Sequence, residues 1–288
     1  MAADRLTQAV RQQLGLGRLL PLGGAADGAW ITEHAAVGAL RRAASAALPG
    51  ARLGTVRLAL ADPATAVPAA VPAPPSALPA GPLRLTADFA ATVDEPLPAV
   101  AGRLRAALWS AGAETLGLDL DAVDLRATAL LDGPEAVGTA EAVTAPERQA
   151  DAESGAEAGT GSGTEAGTEA GTGSGTESGT GSGTESGTES GTEDDGSAAR
   201  VVRAVPGVAR LAPVLGGPAH AVRTRDRTDE EPGRHTQVQI AVTEGRCALD
   251  VTAAVREAVA VATADGAPGP VTVAVVVTAV DPVGRTAH

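Results

Sequence analysis

Two stretches of the chain repeat one order of apolar patterns. In the first, Thr32 is placed to cap a helix over residues 33–47, with Glu33 in the first turn, where the helix dipole favours an acid. Pro49-Gly50 stops it. Val56, Leu58 and Leu60 alternate as a strand. Leu83, Leu85, Ala87 and Phe89 alternate with Arg84, Thr86 and Asp88, the pattern of a half-buried strand. Leu97, Val100, Leu104, Leu108 and Ala111 recur at helical spacing, and Pro96 and Pro98 sit where a helix start tolerates proline. Val123, Leu125, Ala127 and Ala129 predict a last strand, ending before Asp132-Gly133. The order is α-β-β-α-β.

The second stretch follows the same order. Ala204-Val205-Pro206-Gly207-Val208 echoes Ala47-Leu48-Pro49-Gly50-Ala51. A strand is predicted over 208–215, Gly216-Gly217-Pro218 turns the chain, and a further short strand falls near 219–224. Val238, Ile240 and Val242 alternate with polar neighbours, Val251, Val255, Val259 and Ala262 return to helical spacing, and Val271, Val273, Val275 and Val277 give the strongest strand signal in the chain. A strand, a helix of about four turns and a strand make the two strands parallel with a right-handed crossover. The expected class is therefore α+β, two-layer: two small modules, each a sheet with helices on one face, related as a diverged tandem duplication. The expected boundaries are an N-terminal arm over 1–24, a first module over 25–132, a linker over 133–199, a second module over 200–282 and a tail over 283–288. Within the first module, residues 63–82 form a Pro/Ala-rich flexible loop. In the arm, Leu6, Val10 and Leu14 can line one side of a short helix over 3–14, as a docking segment or a frayed end.

Composition sharpens the linker. From Gly159 to Gly191 a Gly-Thr step recurs every four residues, with nothing apolar to offset the entropy of ordering it. As a flexible coil, residues 133–199 would span about 45 Å. This segment carries 14 acidic residues against Arg148 alone, which accounts for the whole net charge of −13. The flanking modules are thus neutral, without the excess positive charge that nucleic-acid binding needs. The only aromatic residues are Trp30, Phe89 and Trp109, so any core is built from Ala, Val and Leu, and base-stacking surfaces are scarce. No apolar run reaches the length of a membrane span, and the first residues lack a signal-peptide pattern, so a cytoplasmic protein is expected.

Candidate chemistry is sparse. His34, His220, His235 and His288 contain no pair at the one-turn spacing of a helical metal site. Cys247, the lone cysteine, precedes a helix N-terminus, where a thiol can be activated, but its Ala/Leu setting suits a small buried hydrophobe. Asp119, Asp121 and Asp124 cluster at a strand start, as a solvated turn or a weak cation site. Arg223, Arg225 and Arg227 alternate with Thr224, Asp226 and Thr228, as a charge-protected hairpin edge or an anion-binding patch. Gly171-Thr172-Gly173-Ser174-Gly175 is glycine-rich like a phosphate loop, but no strand precedes it, no helix follows and the chain has no lysine. No catalytic, cofactor-binding or metal residue is therefore assigned, and no cofactor is expected.

The second module resembles the alkaline-shock-protein family, the envelope-stress-response proteins of Gram-positive bacteria, as a diverged tandem member of actinobacterial type. The likeness rests on Val205-Pro206-Gly207-Val208, on Gly245 followed by Leu249-Asp250-Val251 through Val255-Arg256-Glu257-Ala258-Val259, and on the closing strand Val271–Val277. Together these cover roughly residues 198–282. A fainter version runs through Ala29–Glu33, Leu48-Pro49-Gly50 and Leu125–Leu131. Asp265-Gly266-Ala267-Pro268 departs from the family's threonine-glycine approach to the last strand. The resemblance implies a small non-enzymatic cytoplasmic protein that acts as a scaffold or interaction module near the inner face of the membrane. Its partners would be itself or another protein, membrane-anchored or not, with neither nucleic acid nor a membrane span of its own. The alternatives are an RNA-binding α/β module and an undetected enzyme.

Overall fold

The computed structural model describes residues 17–131, 192–213, 221–228 and 231–282. The expected arm helix, the Gly-Thr repeat, the tail, His220 and His288 lie outside them, as does the predicted Gly216-Gly217-Pro218 turn. Both helices and sheets are present. The first half holds β1 (Leu19–Pro21), β2 (Ala29–Thr32), α1 (Glu33–Ala47), β3 (Ala51–Leu60), β4 (Leu83–Thr92), α2 (Leu97–Ser110), a π-helical turn (Ala111–Leu116) and β5 (Leu120–Leu131). The second holds α3 (Thr192–Ala204), β6 (Val208–Leu211), β7 (Val222–Arg227), β8 (Gly233–Thr243), α4 (Ala248–Ala262) and β9 (Val271–Asp281).

Local chemistry sets the element ends. The Thr32 side chain accepts a hydrogen bond from the Ala35 N–H at 3.3 Å, capping α1. The π-helical turn after α2 closes on Gly117, whose φ of 79° is open to glycine and costly for other residues. Its missing side chain also leaves room for Leu249 of α4. The helix α3 begins at Thr192, so the last eight residues of the expected 133–199 linker are helical.

Strands pair in two sheets. One has the order β3-β4-β5; the other has the order β1-β2-β9-β8-β6, with β7 also paired to β8. The trios β3-β4-β5 and β6-β8-β9 match in detail. In each, the first pair is antiparallel and the second parallel. Both parallel pairs skip one residue at a threonine: the register passes from Phe89↔Ala127 to Ala90↔Ala129, and from Ile240↔Val277 to Ala241↔Ala279. The skipped Thr128 and Thr278 hydroxyls lie 3.3 Å from the Phe89 and Ile240 carbonyls. The Thr92 N–H donates to Gly50 at 3.1 Å and the Thr243 N–H to Gly207 at 2.9 Å. Val100, Leu104 and Leu108 are buried on α2, as Val251, Val255 and Val259 are on α4.

The halves are not separated along the chain as expected. The strand β2 runs parallel to β9, with Trp30 opposite Val276 and Ile31 opposite Val277, and β1 pairs onto β2. Residues read as the end of an arm and the entry to a helix therefore extend the sheet of the second half. The reason lies in β9, where Val273 through Val277 are all buried. A strand buried on both faces reads as a continuous apolar run and sits inside a sheet, with a neighbour on each side. One continuous core runs from Leu58, Leu85 and Phe89 through Leu40, Leu104 and Leu108 to Val255, Val259, Val275 and Ile240. Polar links follow the same path. Arg42 on α1 donates to Glu244 at 2.9 Å and to the Val280 carbonyl at 3.0 Å, and Arg256 on α4 to the Ala26 carbonyl at 2.6 Å.

The Pro/Ala-rich segment 63–82 is docked rather than free. Its Ser76 carbonyl accepts from the Leu19 N–H at 3.1 Å, and its Leu78 N–H donates to the Leu19 carbonyl at 2.8 Å, along the outer edge of β1. Ala69, Val71 and Ala77 cover Leu19, Trp30, Ala274 and Val276 on the far face of the sheet. Its many prolines leave less conformational freedom to lose on docking, which lowers the entropic cost.

Candidate functional site

The hairpin β7–β8 gathers the charged chemistry of the second half. Its register sets Arg223 opposite Gln237, Arg225 opposite His235 and Arg227 opposite Gly233. Alternation in a strand puts these residues on one face and Thr224, Asp226, Thr236 and Arg234 on the other.

On the inner face Arg234 is 5% exposed and fully engaged. It donates to both carboxylate oxygens of Asp226, from Nε at 2.6 Å and from Nη2 at 2.7 Å, a bidentate pair. Its Nη1 donates to the Thr263 carbonyl at 2.9 Å and the Asp265 carbonyl at 3.2 Å. The first belongs to the C-cap of α4 and the second lies just beyond it, where unpaired acceptors and the dipole both favour a cation. The hydrogen bonds from Arg234 hold the Asp226 carboxyl below its ordinary range, outweighing the upward push of burial. Neither residue stood out in the sequence as a pair. The one legible signal was an acid flanked by arginines on a short strand.

On the outer face His235 is half-buried, and its Nδ1 lies 3.0 Å from the Thr272 hydroxyl. That hydroxyl donates its one hydrogen to the Arg234 carbonyl at 3.2 Å, so it accepts from His235. The proton of the neutral ring is therefore assigned to Nδ1, leaving Nε2 as an acceptor. Burial, then Arg225, then Arg227 hold the imidazolium pKa below its usual value. The unfolded chain consequently binds a proton more readily than the folded one below pH 6.5, the ordinary value. Folding stability should fall as pH drops through 6.5, until the folded histidine protonates as well. His235→Gln should flatten this slope in urea titrations run between pH 7.5 and 5.5, and an unchanged slope contradicts the assignment.

The remaining sequence candidates are dispersed. His34 is exposed in the first turn of α1. Cys247 holds the N-cap position of α4 as a half-buried free thiol without a side-chain capping bond. Asp119 and Asp121 are exposed at the start of β5, and Asp124 pairs with Arg84 at 3.6 Å across the sheet surface. Among the described residues no group of three His, Cys, Asp or Glu side chains could hold a metal ion. An open groove of about 630 Å³ lies between Val71, Ala253, Ala260 and Val273, with Arg256 and Glu257 as its charged lining. Arg256 donates to the Ala26 carbonyl at 2.6 Å. No helix among the described residues is long and apolar enough to cross a membrane. Comparison with protein-family models, with curated proteins and with solved structures gives no match.

Proposed function

We propose that this chain is a non-enzymatic scaffold of the envelope-stress-response type, acting in the cytoplasm through protein–protein contacts that include self-association. One observation carries the reading: two sheet trios of identical strand sense, each with a threonine bulge at the equivalent place, close around one core. Such an interior is filled by packing and leaves outer sheet faces and strand edges as the surfaces that meet other molecules. The repeated order and the paired Thr128 and Thr278 support a tandem duplication, with the halves as diverged two-layer modules. The three resemblance segments fall on the α3–β6 turn, on α4 with the turn before it, and on β9.

Proximity labelling from the full chain in its native cell tests the function. Enrichment of a restricted set of envelope-associated proteins, membrane-anchored or peripheral, is expected. Labelling indistinguishable from that of a diffusing control would count against it, and recovery chiefly of ribonucleoproteins would favour RNA binding.

A further inference from the structure

The two trios differ in what lies beyond their parallel strand. In the second half, the outer edge of β9 is covered by β2, with the Val275 N–H donating to the Gly28 carbonyl at 2.9 Å. In the first half, the equivalent edge of β5 has no strand beside it among the described residues. The segment that covers β9 immediately precedes α1. Its counterpart before α3 reads Gly187-Thr188-Glu189-Ser190-Gly191, poor in residues that favour strands.

The edge of β5 is long, 12 residues, and lacks proline. Ala127 and Ala129 are exposed on it, and Leu130 is 57% exposed. Natural edges of this length are normally blunted by charge, proline or a covering segment. The pairing to β4 begins with the Leu83 N–H donating to Asp119 at 2.6 Å, and its register occupies the backbone groups of residues 122, 124 and 126. The N–H and C=O groups of Val123, Leu125 and Ala127 therefore point away from the sheet. Arg105 confirms the direction, since its Nε reaches the Val123 carbonyl at 3.0 Å from outside.

We propose that a second copy of this chain covers this edge, β5 against β5 and antiparallel about a two-fold axis, with Leu125 opposite Leu125. Charge fixes the register. With Leu125 at the axis, each Asp124 faces the other copy's Arg126, so both opposite-charge pairs form at once. Moving the axis by one residue either way sets Asp124 against Asp124 or Arg126 against Arg126. The result is an isologous interface that makes one six-stranded sheet from two three-stranded ones. The Val123 carbonyl has two lone pairs, so it can take the incoming N–H of Ala127 and keep Arg105.

The inference rests on the scaffold reading and names the surface for its self-association. Light scattering on the full chain should give twice the 28.2 kDa mass. Ala127→Pro removes an outward N–H and no bond to β4, so it should halve that mass while leaving the circular-dichroism spectrum unchanged. Asp124→Arg should do the same, and Asp124→Arg with Arg126→Asp should restore the dimer. Leu125→Cys in a Cys247→Ala background should oxidise to a covalent dimer, because a hydrogen-bonded antiparallel pair brings the α-carbons within disulfide reach. A dimer that persists in Ala127→Pro and Asp124→Arg overturns the edge and leaves self-association standing elsewhere. A monomeric wild type overturns the proposal outright, while the labelling experiment still decides the scaffold reading.

Discussion

Residues 200–282 expressed alone should fail to give a soluble protein that unfolds cooperatively. The fragment keeps β6, β7, β8, α4 and β9 but loses β1 and β2 from the edge of β9, α1 from its face and the first turns of α3. Val273, Val275 and Val277, each at most 2% exposed in the full chain, would then meet water along part of their surface. Full burial of each such side chain contributes about 1.5–3 kcal/mol. A loss shared by several of them reaches the whole stability of an ordinary domain, about 5–15 kcal/mol. The bared strand is uncharged and mostly β-branched from Val271 to Val277, and apolar on both faces from Val273, the composition that pairs edge to edge with other chains. Co-expression with residues 1–140 should restore solubility as a two-chain complex, detectable by co-purification. A monomeric fragment with a sharp thermal transition would show that the second half closes its own core.

The second large effect is expected at Arg234. Replacing it with Met preserves bulk but leaves the Asp226 carboxylate without its bidentate partner and the Thr263 and Asp265 carbonyls without a shared donor. Breaking a buried ion pair from one side costs about 3–5 kcal/mol, and the lower end applies because the Asp226 side chain is 22% exposed. The loss should appear as a lower midpoint in urea. Its pH dependence has a definite sign. The folded Asp226 carboxyl lies below its ordinary value of 3.8, so the pair contributes fully above that pH and is lost as acidity rises through the folded value. The gap between wild type and Arg234→Met should therefore narrow as pH falls below about 4, leaving only the share due to the carbonyl bonds and packing. A constant gap across that range would mean that the ion pair with Asp226 contributes nothing to it.

Much of the fold was legible because each element's own residues specify it. The spacing and the Thr32 cap gave the bounds of α1 without reference to any partner. Alternation gave β4, and proline placement gave the start of α2. What stayed hidden was pairing between distant segments. Nothing in Ala29-Trp30-Ile31-Thr32 distinguishes a helix entry from a short strand until β9 is known to need a second neighbour. The unbroken valine run in β9 carried that signal. The beginning of α3 was hidden by Glu193-Asp194-Asp195-Gly196, which continues the composition of the linker. The docked course of 63–82 depends on backbone bonds to β1, a strand of three residues that leaves almost no periodicity. At the hairpin, alternation revealed Arg223, Arg225 and Arg227. The more consequential Arg234 serves a helix end 29 residues further on, which only the folded chain brings near.

The pairing of β2 with β9 also sets a timetable for synthesis. The Thr32 hydroxyl meets the Thr278 carbonyl across 246 residues of chain. Ribosomes add about 5–20 residues per second, so Trp30 and Ile31 emerge roughly 12–50 s before their partner strand exists. Contacts this far apart in sequence form late and slowly. A nascent chain of this protein thus carries an unfilled apolar seam through nearly all of its translation, and a chaperone that shields extended apolar segments would be engaged there until the last strand is released.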